Sequence, residues 1–545
     1  MNKNNKLAIW LPLLIAVSIA AGIFIGNYYK TLSSGKFNRY SSGNKINAIL
    51  DIIDDQYVDT VDMKKLVEST IPKIFSELDP HSTYIPAQYA KAENERMEGS
   101  FGGVGILFNL LTDTIAVINV TPGGPADKVG ILPGDRILTI DDSVFVGKEK
   151  QELIVKTLRG PKNSTVKLGV KRMGEPELIY FDVTRDDIPV SPIEVAYEVE
   201  NGIGLIKVKE FTRPTYNDFI TAIAQLKEKG VKAYIIDLRG NLGGYMDAAI
   251  NMANEFLPEG RLIVYTEGKA FPRNDVFANG TGTCQDAPLI VLTDDSSASA
   301  SEIFAGAIQD NDRGLVIGRR TFGKGLVQAP IKLTDGSSIH LTIGRYYTPS
   351  GRSIQKKYEM GKSDEYDQDF LNRLMHGELD SKDSIKLDES LKYSTTLGRT
   401  VYGGGGIMPD IFIPRDTTGY TSYFSTVYYN GLLHQYAFKY VDDNRKKLSA
   451  YKTYQDLYAY LKTQPLLNDF TNFAASRGVK KRPTLIDISK ELIDTQLYTL
   501  IINYLFENEG SYPVLFEKDP AVRKAVEIIR AGQAFPVAPD PDTEK

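Results

Sequence analysis

Cysteine is almost missing from this 545-residue chain: Cys284 stands alone. No intramolecular disulfide can form, and no lipid-bearing cysteine lies near the N-terminal apolar run. Histidine is scarce too, at four residues, and neither an HExxH string nor a Cys/His cluster occurs, so no catalytic metal or cofactor is expected. Charge of one sign is not in excess. The 64 Lys and Arg against 69 Asp and Glu leave a net charge of −5, which gives no reason to expect a nucleic-acid partner.

What is present is a globular composition, long enough for roughly three or four domains. The run LAIWLPLLIAVSIAAGIFIG, Leu7 to Gly26, is twenty residues without a charge, enough to span a bilayer core as a helix. Lys3 and Lys6 precede it and keep the N-terminus cytoplasmic, sending the rest across. No small-x-small cleavage site follows, so residues 1–30 read as an uncleaved anchor rather than a signal peptide. The expectation is a single-pass inner-membrane protein with its bulk on the periplasmic, exported side.

One stretch carries the chemistry, Thr293 to Gln328 (TDDSSASASEIFAGAIQDNDRGLVIGRRTFGKGLVQ). The apolar run Pro288–Thr293 predicts a buried strand. Ile303, Phe304, Ala307 and Ile308 recur at helical spacing over Glu302–Gln309 and predict a helix with one buried face. A strand end followed by serines at a helix N-terminus gathers unpaired N–H groups and the positive end of the helix dipole, which stabilise developing negative charge. Two readings of Ser299 stand side by side. Ser299-Ala-Ser-Glu302 fits a capping box, the commoner use of such a serine. The other reading is a nucleophile, and Thr321-Phe-Gly-Lys-Gly325 favours it. Lys324 lies between glycines that allow close backbone approach, and a poorly solvated lysine loses pKa and serves as a general base. The residues alone do not choose among Ser296, Ser297, Ser299 and Ser301.

The strings SASASEIFAGAIQD and RTFGKGLVQ resemble those of the carboxyl-terminal processing (tail-specific) peptidases, which are Ser–Lys endopeptidases. Ser299 precedes Lys324 by 25 positions and Gln328 follows it by four, the offsets of nucleophile, base and glutamine in that family. The resemblance therefore selects Ser299 as nucleophile, Lys324 as base and Gln328 as the residue orienting the lysine. Where the family has Asn-Pro-Gly-Gly, this chain has Asn241-Leu242-Gly243-Gly244, with leucine in place of proline. The resemblance implies oxyanion donors at the N–H groups of Gly243 and Ala300, with Gly244 the neighbouring alternative. RYYTPSGRSIQ from Arg345 and GGGGIMPD from Gly403 extend the match, which runs from about Ile46 to Pro414.

Residues 96–187 resemble a PDZ domain, a mostly β module that binds an extended C-terminus as an added strand. Gly103, Gly105 and Ile106 resemble its carboxylate-binding loop, and Thr121–Gly130 with Leu132–Leu138 resembles the turn, short helix and strand beyond. Arg136 is read as a polar contact to the protease body. The resemblance implies an α/β fold: a crotonase- or Clp-like βα protease core over 188–415 with the PDZ domain inserted before it. Local patterns agree, since Asn201–Val208, Thr215–Glu228 and Ala233–Leu238 read as a βαβ unit and Tyr245–Phe256 as a further helix.

The N-terminal segment 31–95 carries a polar spacer and helical patterns at Ile46–Gln56 and Met63–Leu78, then Asp79-Pro-His-Ser-Thr-Tyr84, where His81 reads as structural. His340 is the candidate for a Ser–His alternative but lacks a paired acid or a nucleophile-elbow motif. The charge-rich insertion Lys356–Arg399 reads as a solvated surface excursion. Residues 416–545 carry helical patterns at Tyr454–Leu461, Ile486–Phe506 and Asp519–Ala531 and read as an α-helical domain with a disordered Pro-rich tail, its use unassigned beyond capping or homo-oligomerisation. The reading is a membrane-anchored serine endopeptidase whose substrates are exported proteins with accessible apolar C-termini. Two rivals are a non-catalytic PDZ scaffold and a small-ligand-binding module on a protease-like fold. The intact Ser299, Lys324 and Gln328 argue against the first, the PDZ domain against the second.

Overall fold

The computed structural model describes residues 16–24, 42–110, 114–141, 143–144 and 151–539, and the chain divides into two units, 1–74 and 75–545. The first unit holds helical residues 16–24, the helix Ser42–Gln56 and most of the helix Met63–Ser76. Among the described residues no helix is long and apolar enough to cross a membrane. The run expected to do so, 7–26, is described only at 16–24, and the rest of it lies outside the described residues.

In the second unit the PDZ region is an antiparallel sheet whose strands run Ile106–Asn109, Ile115–Val120, Arg136–Ile140, Thr165–Lys171 and Ile179–Thr184, with the short Ser143–Val144 paired to Arg136–Ile140. Its core includes Val117, Ile137, Leu168 and Val183. Arg136 does not reach the protease body. Its Nη2 donates to Asp442 Oδ2 at 2.6 Å and its guanidinium lies 5.5 Å from the Phe438 ring, both in the C-terminal helical region. Phe438 and Asp442 are one helical turn apart, so one helix face offers a ring and a carboxylate together.

The protease core is a six-stranded sheet in simple chain order: β1 (Ile193–Glu200), β2 (Ile203–Val208), β3 (Ala233–Asp237), β4 (Leu289–Thr293), β5 (Leu315–Gly318) and β6 (Ile411–Phe412). Only β1 is antiparallel to its neighbour; the others are parallel. Parallel strands are covered on both faces and so read as unbroken apolar runs, as AYIID and LIVLT do here. All five residues of each of these two strands are buried, and each apolar side chain so buried contributes about 1.5–3 kcal/mol.

Successive side chains point to opposite faces, and the two faces have different covers. Ile206, Tyr234, Ile236 and Val291 share a core with α1 (Thr215–Glu228), α2 (Met246–Asn254) and α3 (Ala300–Asp310). Leu205, Ile235, Ile290 and Leu292 share another with Ala521, Val522, Ala525 and Val526 of the final helix, Pro520–Arg530. The expected boundary at 416 therefore does not set all the C-terminal helices apart: the last one closes the open face of the protease sheet. Burial of α3 also exceeds the expectation of one buried face, since all eleven of its residues are buried. At Gly306 an added Cβ would lie 2.8 Å from Thr348 and 3.2 Å from Ile407, so its outer side is covered too.

A second sheet is built from Thr83–Ile85, Leu262–Glu267, Asn274–Phe277, Leu326–Lys332 and Ser338–Tyr347. In it Gln328 lies opposite Thr342, and Thr83 opposite His340. Most described residues of the insertion 356–399 are exposed, as expected, but not all of it faces solvent. It folds into α4 (Ser363–Met375), whose Tyr366 and Arg373 are buried. The remaining C-terminal helices enclose a separate core with Phe424, Leu433, Leu457, Phe470 and Leu497. Of the tail expected to be disordered, 540–545 lies outside the described residues.

Candidate active site

β3 ends at Asp237 and β4 at Thr293, side by side at the carboxyl edge of the parallel strands, and the loops leaving them build the site. Burial works to raise the Asp237 carboxyl, but Arg239 and Lys207 outweigh it and hold it below the usual range. Arg239 grips Asp237 through its backbone N–H, Nε and Nη2 at 3.0, 2.9 and 2.7 Å, and sends Nη1 to Asp519, which caps the final helix, at 2.8 Å. The covering helix and the turn after β3 are thus one assembly.

Asn241 is fully buried and joins that turn to its neighbours. Its Nδ2 donates to the Val208 carbonyl at 2.9 Å, and its own carbonyl accepts from Ala298 N–H at 3.0 Å and Ser301 Oγ at 2.9 Å. Ser297 Oγ donates to the Leu238 carbonyl at 2.8 Å. Ser297 and Ser301 are fully buried with their hydroxyls committed to backbone, so neither is free to attack a substrate.

Ser299 differs in kind. Its backbone sits at φ +54°, ψ −115°, a conformation that costs about 1–3 kcal/mol and persists only where surroundings enforce it. Two groups enforce it here. Ser299 N–H donates to Glu302 Oε2 at 2.9 Å, and the Tyr346 hydroxyl reaches the Ser299 carbonyl at 3.1 Å. Opposite stands Gly243, at φ +101°, where a Cβ would lie 2.7 Å from Ser299 Cβ and 3.0 Å from Ala300 N. Only glycine allows that approach.

The expected oxyanion donors divide. Ala300, the first residue of α3, has an N–H without an acceptor among the described residues, as the first turn of a helix leaves it. Gly243 is brought alongside, but its N–H donates to Asn241 Oδ1 at 2.9 Å, so in this conformation that donor is taken. A buried N–H needs an acceptor, and an asparagine two residues earlier supplies one. The N–H of Gly244, which is exposed, has no acceptor among the described residues.

Lys324 Nζ donates to Gln328 Oε1 at 2.9 Å. Burial lowers the pKa of Lys324, with Glu302 and Asp79 pulling the other way. Glu302 was legible only as half of a capping box, yet its carboxylate does more. Beyond Ser299 it accepts from Thr321 Oγ1 at 2.5 Å, Gly323 N–H at 2.8 Å and Lys324 N–H at 2.8 Å. Burial pushes its carboxyl up to about 7 against those four donors, which favour the ionised form. The Tyr346 hydroxyl, besides Ser299, reaches the Lys324 carbonyl at 2.5 Å. One carboxylate and one phenol therefore hold the backbones of Ser299 and Lys324 together. A signal for Glu302 was present: an acid in the first turn of a helix whose apolar spacing predicts burial must find donors.

His81 also enters. Its carbonyl accepts from Gln328 Nε2, its N–H donates to Asp79 Oδ1 at 2.9 Å, and its Nε2 lies 2.8 Å from the Tyr366 hydroxyl. Burial first, then the charge on Lys324, pushes its pKa down to about 4 from 6.5. The unfolded chain therefore binds the proton more readily. The stability held in the neutral ring is present above pH 6.5 and is lost as pH falls through about 4. Calorimetric melts should show wild type losing melting temperature more steeply than His81→Gln over that window; equal slopes would discount the buried neutral ring. His340, the alternative base, pairs with Thr83 in the second sheet, and no hydrogen bond links it to Ser299 among the described residues.

In the PDZ region Gly103 belongs to a short strand, Ser100–Gly103, pairing with Asp186–Pro189, rather than to an open loop. Gly105, at φ +76°, makes the turn, and Ile106 opens an edge strand paired on one side only.

The chain matches the profile of Peptidase family S41 over residues 202–363, a PDZ domain over 102–183, and a family of unknown function over 423–507. It is 38% identical over 325 residues to the carboxy-terminal-processing protease of Bartonella bacilliformis, covering 58% of this chain and 74% of that one. It is 34% identical over 363 residues to the carboxy-terminal processing protease CtpA of Bacillus subtilis, covering 66% and 76%. Among solved structures, the photosystem II D1 C-terminal processing protease is 24% identical, covering 69% of this chain and 94% of that one with a TM-score of 0.34.

Proposed function

Because the chain belongs to the carboxy-terminal processing proteases, serine-type peptidases of family S41, we propose that it cleaves exported proteins with accessible apolar C-termini through a Ser299–Lys324 dyad. The observation that carries the dyad is the strained turn at Ser299, held to the backbone of a half-buried Lys324 by Glu302 and Tyr346. Strain of this kind collects at functional sites.

In the proposed reaction neutral Lys324 takes the proton of the Ser299 hydroxyl as Oγ attacks the scissile carbonyl carbon. The resulting oxyanion is met by the Ala300 N–H and by that of Gly244, or of Gly243 once Asn241 releases it. Protonated Lys324, steadied by Gln328 Oε1, then gives its proton to the leaving amine. Water attacks the acyl-enzyme and frees Ser299. Burial makes this possible, since a lysine at its ordinary pKa would be almost wholly protonated near neutral pH.

The substrate's C-terminus adds as a strand along Ile106–Asn109, with its carboxylate at the Gly105 turn. Anchoring through Leu7–Gly26, with the catalytic part outside the membrane, belongs to the same reading. The test is an unstructured reporter ending in an apolar residue, supplied with a free or an amidated C-terminus. The free form should be cut faster by about tenfold, the weight of roughly one good charged contact. Spheroplasts should cut the same reporter when it is added from outside. Equal rates for the two ends would remove the C-terminal selectivity, and binding without cleavage would favour the scaffold.

A further inference from the structure

The helix α4 lies far in sequence from Ser299 and belongs to an insertion that composition alone marks as solvent-facing. Two of its side chains, both buried, nevertheless turn toward the base. Tyr366 is 4% exposed and its hydroxyl lies 2.8 Å from His81 Nε2, with the two rings edge to face at 5.1 Å. The Phe322 ring, two residues before Lys324, completes a trio at 6.4 Å from His81 and 6.1 Å from Tyr366. Arg373, also 4% exposed, sends Nη1 to the Thr321 carbonyl at 3.1 Å and Nη2 to the Arg320 carbonyl at 2.9 Å. The helix therefore grips both sides of Lys324: the peptides that lead into it, and the loop that faces Gln328.

The loop contact matters because an amide has two ends. Gln328 serves Lys324 only if its oxygen, not its NH2, faces Nζ. The His81 carbonyl can only accept, so the Gln328 amide must donate to it, which leaves Oε1 toward Lys324. The His81 carbonyl is in turn placed from two sides, by its own N–H on Asp79 and by its ring on Tyr366.

We infer that α4 is a positioning element for the base, with Tyr366 acting through His81 and Gln328 and Arg373 acting through the Arg320 and Thr321 carbonyls to hold Lys324 in register and keep water from it. The inference rests on the Ser299–Lys324 reading. The charged and titratable groups around Lys324 are Glu302 and Asp79, which favour its protonated form, and His81 and His340, which feel its charge; Lys356 lies against the Phe322 and Tyr366 rings at 4.3 and 3.8 Å.

The experiment is the pH dependence of kcat and KM on the reporter for wild type, Tyr366→Phe and Tyr366→Ala, with melting curves. Tyr366→Ala opens a ring-sized gap beside His81 and Phe322. Water then reaches Lys324, its pKa rises toward the ordinary lysine value, and the acid limb of kcat moves to higher pH. At neutral pH kcat should fall by about 10–100-fold while KM stays within about twofold, as expected for a misplaced base rather than lost substrate contacts. Tyr366→Phe keeps the ring and excludes water, so its limb should stay in place while kcat falls by a few-fold, roughly the weight of one hydrogen bond. If a folded Tyr366→Ala keeps both its limb and its kcat, α4 is only a cover and the inference falls. Should Tyr366→Ala fail to fold, Tyr366→Phe decides, and an unchanged kcat overturns the inference. Ser299→Ala and Lys324→Ala run in the same series: if either turns over, it is the dyad that fails, whatever Tyr366 does.

Discussion

Ser299→Ala should lower kcat by about 10⁴-fold or more, with Lys324→Ala close to it and the double variant no worse than either single one. In the proposed dyad nucleophile and base act as one unit. Removing the hydroxyl leaves Lys324 nothing to deprotonate, and removing the amine leaves a hydroxyl that does not ionise near neutral pH. What survives is positioning and oxyanion stabilisation by the Ala300 and glycine N–H groups, which is why the effects do not add. Both alanines are also structurally mild. Ser299→Ala keeps its backbone N–H on Glu302, and Lys324→Ala keeps its own N–H there. Melting temperatures should therefore stay near wild type, so lost turnover is not lost fold. Reporter cleavage followed to a single turnover measures this, and cleavage by the variants equal to that by wild type would mean the active site lies elsewhere.

Glu302→Ala should act on stability and activity together. It removes the acceptor for the N–H groups of Ser299, Gly323 and Lys324 and for the Thr321 hydroxyl, at a position with no solvent exposure. Leaving such donors unpaired in the interior should lower stability by about 3–5 kcal/mol. Loss of the clamp between Ser299 and Lys324 should cost about 10²-fold or more in kcat. Glu302→Gln separates geometry from charge. It keeps the shape, but one oxygen must serve donors that now have two. Its neutral amide also removes an influence that raises the Lys324 pKa, so the acid limb should move to lower pH. Urea melts and a pH–rate profile report the two effects. A Glu302→Gln enzyme with wild-type melting, rate and limb would show that the clamp is not needed.

Much of the architecture was legible because it is written in short-range patterns. The helix Thr215–Glu228 and the strand Leu289–Thr293 follow from residues within one window, 3.6-fold periodicity in one case and an unbroken β-branched run in the other. The candidate nucleophile, base and glutamine fall within a span of thirty residues, at offsets a strand, a helix and a second strand impose. Contacts between distant segments are not written that way. Arg136 meets Asp442 rather than the protease, because the choice between two carboxylate-bearing surfaces is made by domain packing. Charge marks the insertion as surface, yet Tyr366 and Arg373 among those charges are buried. Composition groups the C-terminal helices together, although Ala521 and Val522 belong under the sheet that Leu205 and Leu292 leave open.

By itself, then, the sequence determined the chemistry on offer: a serine at a strand-to-helix turn, a lysine between glycines and a glutamine four positions beyond it. Residue type and local spacing offer these groups, since both depend on neighbours along the chain, and the family resemblance selects Ser299 and Gln328 among them. The tertiary structure alone decided which groups make that chemistry usable. Tyr346 meets Ser299 across 47 residues, Gln328 meets His81 across 247, and Tyr366 meets His81 across 285. It also decided that the Gly243 N–H is held by Asn241 while that of Gly244 is open. A hydrogen bond depends on tenths of an ångström, and at such separations the distance is set by how the sheets and helices pack, which no local pattern records.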